Sequence, residues 1–131
     1  MATIKSFTSL EQSKKLAEIL SLESADMYWQ SNLNSSDRQY LLDMGEEEYF
    51  DIEMNFEHCS IGDYDVPAWS LAALLDVLPN ESDIVKGQSD DKDERYMCTV
   101  GYKNDILSTF SDNPVDACYR LILKLHKLKM L

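Results

Sequence analysis

The sequence is poor in glycine, which excludes the binding loops that depend on this residue. It contains four glycines: Gly45, Gly62, Gly87 and Gly101. A loop that holds a phosphate or a dinucleotide needs several glycines within a few residues of one another. The glycines of this chain lie too far apart for such a loop. We therefore expect no nucleotide cofactor.

Cysteine and histidine are also scarce, which argues against a disulfide framework and the common zinc sites. The three cysteines are Cys59, Cys98 and Cys118, and no two of them form a C-x-x-C pair. An odd number without paired spacing is typical of reduced thiols buried as small apolar side chains. The two histidines, His58 and His126, belong to no H-E-x-x-H or H-x-E motif. We predict no metal site and no cofactor.

Basic residues are in deficit, and no long apolar run occurs. The chain has 12 Lys and Arg against 24 Asp and Glu, which gives a formal net charge of −12. Nucleic acids and anionic membranes attract cationic surfaces, so we expect neither as a partner. A bilayer-spanning helix needs about 18 consecutive apolar residues, and none is present. The first residues lack the pattern of an export signal, so the expected location is the cytoplasm.

The negative charge is concentrated in the middle of the chain. Residues 37–94, which we call the acidic segment, hold seventeen of the 24 Asp and Glu and three of the 12 Lys and Arg. This concentration favours a basic partner, because opposite charges attract across an interface. The alternative interpretation is that the charge only keeps a small protein soluble.

Three segments carry the signals of helices. Thr8 and Glu11 match a capping box that begins a helix over residues 9–21. The apolar segment Val66–Pro79 has one proline in its first turn and another where the helix must end. Asn113–Pro114 supply the cap and first residue of a last helix. The apolar side of that helix is formed by Ala117, Cys118, Leu121, Ile122, Leu125 and Leu128.

Strand signals lie between these helices. Residues 50–57 alternate apolar and polar side chains, which is typical of an antiparallel sheet with one face in water. Four shorter segments have strand-like composition: Ala25–Trp29, Ile84–Val85, Arg95–Lys103 and Ile106–Phe110. Asn104–Asp105 predict a tight turn between the last two. The predicted fold is a single α+β domain over residues 1–131, with an antiparallel sheet of about four to five strands packed by two to three helices in one pair of layers.

Three blocks of the chain are familiar as a set. They are Ser24–Trp29, Val66–Leu71 with Leu74–Leu75 and Leu78–Pro79, and Asp112–Cys118. In these blocks the sequence resembles an uncharacterised family of short acidic proteins from gut-bacterial genomes and prophages. That family has no assigned activity, so the resemblance implies a genomic setting and no chemistry.

The preferred functional prediction is a non-enzymatic phage or mobile-element protein that binds a basic macromolecule. The carboxylates expected to form its binding face are Asp51, Glu53, Glu57, Asp63 and Asp65. The partner is expected to be a protein, since the negative charge disfavours nucleic acid.

Two alternative predictions come from other residues. One alternative is a small-ligand-binding or enzymatic domain that uses an aromatic groove together with His58 and nearby carboxylates; its aromatic residues are Tyr28, Trp29, Tyr64 and Trp69. A self-assembling structural component would place the basic end of one copy on the acidic face of another. The residues of that basic end are Arg120, Lys124, Lys127 and Lys129.

Overall fold

The secondary structure mixes helices with antiparallel strands. A computed structural model describes residues 5–31, 49–54, 65–87 and 94–131. The α-helices in these ranges are α1 (Leu10–Ala17), α2 (Leu71–Val77) and α3 (Pro114–Lys127), and a short 3-10 helix covers Leu22–Ser24. The strands are β1 (Met27–Ser31), β2 (Tyr49–Met54), β3 (Val66–Ala68), β4 (Asp83–Lys86), β5 (Tyr96–Tyr102) and β6 (Asp105–Ser111). The α+β class is confirmed.

The strands form two separate sheets. One sheet has the order β2-β1-β3 and the other has the order β4-β5-β6, and every pairing is antiparallel. The expectation of one sheet of four to five strands is therefore wrong for the described residues. Strand patterns reveal which residues face a core, but pairing between distant strands depends on tertiary contacts.

The chain divides into two compact units. One unit, which we call the N-unit, is Ser9–Trp69, and the other, the C-unit, is Met1–Thr8 with Ser70–Leu131. Each sheet belongs entirely to one unit. That the whole of 1–131 behaves as one domain remains a prediction.

In the N-unit, α1 begins at a cap one residue later than expected. The Ser9 hydroxyl oxygen accepts from the backbone N–H of Gln12 at 3.2 Å, and the Gln12 side chain accepts from the Ser9 N–H at 3.0 Å. This is a complete capping box. The predicted pair of Thr8 and Glu11 is therefore wrong, because Ser9 is the N-cap and Gln12 is the residue three positions later that completes the box. The helix is also shorter than 9–21, since it ends at Ala17.

The sheet of the N-unit contains a strand that the sequence did not indicate. Val66–Ala68 pairs with β1 as an edge strand, with Pro67 opposite Tyr28. Pro67 is therefore not in a helix; its missing N–H is tolerated at a sheet edge. The helix expected over Val66–Pro79 begins only at Leu71, where Ser70 accepts from the Ala73 N–H at 3.2 Å. Pro79 follows the end of that helix, as predicted.

Burial in the N-unit centres on Trp69. Its side chain is fully buried, and its indole N–H donates to the Ser24 hydroxyl oxygen at 3.0 Å. The other buried apolar residues of this unit are Leu16, Ala25, Met27, Val66 and Ala68. Trp69 is thus a core residue of the N-unit. Its position within the apolar segment between Pro67 and Pro79 is consistent with this burial.

In the C-unit, α3 packs on one face of the sheet through β5 and β6. The Thr109 hydroxyl donates to the Ala117 carbonyl at 2.6 Å, which joins β6 to the helix. Cys98 and Val100 of β5 are buried on this side. The buried side of α3 consists of Val115, Ala117, Cys118, Leu121, Ile122 and Leu125. Leu128 was expected with them, but it lies beyond the end of the helix and is exposed.

The local sequence explains the turn between β5 and β6 and the start of α3. The turn between β5 and β6 consists of Lys103 and Asn104, with φ of 46° and 66°. Two consecutive positive φ values suit a two-residue hairpin turn, one residue earlier than predicted. Asn113 caps α3 by accepting from the Asp116 N–H at 2.8 Å, as predicted. Lys5 forms an ion pair with Asp116 at 2.7 Å.

Across the described ranges, every helix is too short or too polar to cross a bilayer.

Candidate functional site

The carboxylates predicted to form the binding face are only partly covered by the structure. The backbone of β2 places Asp51 opposite Gln30 and Glu53 opposite Tyr28. Asp65 is half-buried just before β3. Glu57 and Asp63 lie outside the described residues. The acidic face built on these five residues therefore stays a prediction.

The three described residues of the predicted aromatic groove do not share one surface. Tyr28 and Trp29 are neighbours in β1, so they point to opposite faces of the sheet. Trp69 is fully buried and offers no surface to a ligand. Tyr64, like His58, lies outside the described residues. The described members do not combine into a ligand pocket.

A concavity in the C-unit collects other carboxylates of the acidic segment. It is an open cavity of about 440 Å³ at the connection between α2 and β4. Three acidic residues line it: Asp76, Glu81 and Asp83. The rest of its wall is formed by Leu75, Leu78, Pro79, Asn80, Ser82 and Ile84. We call this cavity the acidic pocket.

The local sequence explains the position of each carboxylate. Asp76 lies in the last turn of α2, which stops before Pro79 because proline cannot continue the helix. The Ser82 hydroxyl donates to the Pro79 carbonyl at 2.5 Å and closes the turn that follows. Asp83 is the first residue of β4. The helix end and the strand start therefore face the same cavity.

Glu81 has an unusual backbone conformation. Its φ is 70°, a left-handed value that costs free energy for a residue with a side chain. The Glu81 Oε2 atom lies 3.9 Å from the position that a Cβ on Gly101 would occupy. The carboxylate therefore lies over the space left by the missing side chain of Gly101.

Every charged residue that lines the acidic pocket is acidic. No Lys or Arg lines it, and its three carboxylates are exposed and form no ion pair with the described residues. The carbonyl end of α2 adds negative partial charge at the same place. A cationic group is the natural occupant of such a pocket.

The side chains that line the acidic pocket are carboxylate, amide, hydroxyl and aliphatic groups. Its lining contains no histidine, cysteine or aromatic residue. Among the residues that the structure describes, no group of three or more His, Cys, Asp or Glu is arranged to hold a metal ion. Chemically, the described geometry provides charge and shape for binding.

The two described cysteines form a buried pair outside this pocket. Cys98 of β5 and Cys118 of α3 are fully buried and reduced, with their sulfur atoms 3.7 Å apart. The hydrogen bond to Cys98 and burial both raise the pKa of Cys118 well above its ordinary value. Cys118 is therefore an inert thiol, as predicted from sequence. Cys59 lies outside the described residues.

Sequence reasoning placed Asp76, Glu81 and Asp83 in the acidic segment but did not single them out. Their spacing matches no motif, because one is in a helix, one in a turn and one in a strand. One signal in the sequence could have identified them. Pro79 ends a helix within an acidic stretch, and the turn that must follow brings nearby carboxylates together.

Comparisons of the chain with protein-family models, with curated proteins and with solved structures found no match.

Proposed function

We propose that this protein is a non-enzymatic binding protein that holds a basic partner protein by its acidic surface, with the acidic pocket as one contact. The observation that carries the proposal is the pocket itself. Three carboxylates converge there without a compensating cation in the lining. Carboxylates so placed attract cationic groups from a distance and fix them at short range.

The charge of the whole chain supports the same role. A net charge of −12, with its acids concentrated in residues 37–94, produces a field that accelerates association with a basic protein. The phage or mobile-element setting remains part of this proposal, since it depends on the resemblance alone. The partner would then be a basic protein of the host or of a competing element.

The experiment measures the affinity for a defined cationic probe. The probe is a fluorescent peptide that alternates lysine with serine, titrated with the protein at about 50 mM and 300 mM salt. The test variant is Asp76→Asn/Glu81→Gln/Asp83→Asn. An exposed ion pair contributes about 0.5 kcal/mol, so three of them amount to about tenfold in Kd at low salt. At high salt the difference should shrink, because the charges are screened.

A matched control removes the same number of charges elsewhere. Glu11→Gln/Glu18→Gln/Glu23→Gln changes three exposed carboxylates that lie outside the acidic segment. We expect this variant to lose less than threefold in affinity, because it changes the net charge by the same amount without altering the lining of the acidic pocket. Equal losses of affinity in the two triple variants would show that peptide binding depends on net charge alone, and the proposed site would be wrong.

A further inference from the structure

The face of the C-unit sheet that points away from α3 carries apolar residues in water. Strand residues alternate between faces, and the buried Cys98 and Val100 mark the side of the helix. Met97, Thr99 and Gly101 of β5 therefore belong to the opposite side, which we call the outer face.

One end of the outer face is an apolar row across all three strands. The register pairs Val85 with Met97 and Met97 with Phe110. Val85 is 47% exposed and Phe110 is 40% exposed. Ile106 is 65% exposed on the same face but lies opposite Gly101, at the far end from this row and near the Glu81 carboxylate. Neighbouring exposed apolar residues on a sheet are typical of a surface that contacts a partner.

The other end of the outer face is acidic along the β4 edge. Asp83 pairs with Thr99, two residues from the apolar row. Glu81 precedes it and brings its carboxylate to within 3.9 Å of the Cβ position of Gly101. No Lys or Arg stands at the positions of β4, β5 and β6 that form this face. The outer face thus continues the acidic pocket, since Glu81 and Asp83 belong to both.

We infer that the outer face docks a polypeptide segment in which apolar side chains are followed by Lys or Arg. This inference rests on the proposed function, because it names the chemistry of the basic partner. The acidic end of the outer face attracts the Lys or Arg residues of the partner segment, because their charges are complementary. The exposed Val85–Met97–Phe110 row contacts the apolar side chains of that segment.

The register also sets the spacing that the partner must have. Residues two apart on a strand are separated by about 7 Å, so Asp83 lies about 7 Å from the apolar row. The Glu81 carboxylate lies beside Gly101, which is four residues, or about 14 Å, from Met97 along β5. A partner strand meets this pattern with basic residues two and four positions beyond its apolar residue. An amphipathic helix meets it with basic residues about five and nine positions away.

The experiment compares two peptides of equal length and charge. One has leucine or valine followed by lysines two and four positions later, with serine between them, and the other is a lysine–serine peptide with the same number of lysines. We expect the wild-type protein to bind the apolar peptide about tenfold more tightly, because the exposed row is then covered. The variant Val85→Thr/Phe110→Thr places β-branched residues, which suit strands, at both positions and should lose most of this preference while binding the lysine–serine peptide unchanged.

Controls separate this inference from the proposed function and from misfolding. Leu22→Thr removes an apolar side chain that is 56% exposed in the N-unit and should leave the preference intact. Chemical shifts of the wild-type protein should move at the outer face when the apolar peptide is added. Shifts confined to other residues would overturn the inference whether or not the variants fold.

Each remaining outcome has a distinct meaning. Equal binding of the two peptides by the wild-type protein, with losses in the acidic-pocket variant, would refute the docking face and leave the proposed function standing. Binding of neither peptide would refute both. Sedimentation that shows a wild-type dimer abolished by Val85→Thr/Phe110→Thr would identify a second copy as the occupant and overturn the inference.

Discussion

The hydrogen bond between Trp69 and Ser24 provides a sharp test of the N-unit core. The Trp69 indole N–H is buried and donates to Ser24 Oγ at 3.0 Å, while the Ser24 hydroxyl donates to the Ser21 carbonyl at 2.6 Å. Ser24→Ala removes this acceptor of the buried indole N–H. Loss of a partner by a buried donor costs about 1–3 kcal/mol, and the exposed bond to Ser21 adds about 0.5 kcal/mol. We expect Ser24→Ala to lower the free energy of unfolding by about 2 kcal/mol.

A double-mutant cycle isolates the hydrogen bond from the packing. Trp69→Phe removes the donor and part of the ring, at a cost of about 2 kcal/mol for lost packing. In that background Ser24→Ala should cost only about 0.5 kcal/mol, because no buried N–H remains. The coupling free energy should therefore be about 1.5 kcal/mol.

The assay is urea unfolding followed by far-UV circular dichroism, since Trp69→Phe removes one of the two tryptophans. Ser21→Ala is the control, because the Ser21 side chain is exposed and makes no capping hydrogen bond. It should change stability by less than about 0.5 kcal/mol. If Ser24→Ala costs the same with Trp or Phe at position 69, the two residues do not interact and our account of this core is wrong.

Three further predictions concern the C-unit. Asn104→Ala should destabilise by about 1 kcal/mol in urea unfolding, because φ is 66° there, whereas Asn104→Gly should not. Leu121→Ala should cost about 2–5 kcal/mol by the same assay, since the side chain is fully buried; a cost under about 1 kcal/mol would contradict its place in the core. Cys98 and Cys118 should resist iodoacetamide at pH 8 until urea is added, and peptide mass spectrometry that finds them alkylated in the folded protein would refute their burial.

Several features of the fold could be predicted because their causes are local. The N-cap at Asn113, the proline in the first turn of α3 and the end of α2 before Pro79 depend on residues within one helical turn. The strands β2, β5 and β6 were found because alternation and turn residues are visible in a short window. The buried side of α3 followed from its helical period, apart from Leu128 at the frayed end.

Other features could not be predicted because their causes are distant. Pro67 has the sequence context of a helix start, yet it lies in an edge strand because β1 is available to pair with Val66–Ala68. A tertiary contact outweighs a local preference there.

The amino-acid sequence alone determined the α+β composition, the burial of Cys98 and Cys118 as free thiols and the concentration of negative charge, because these depend on residue type and local order. Tertiary structure alone decided that the strands form two sheets, that Asp76, Glu81 and Asp83 share a pocket, and that Val85, Met97 and Phe110 align beside it. The physical reason is that a partner surface is assembled from residues that only strand pairing and helix packing bring together.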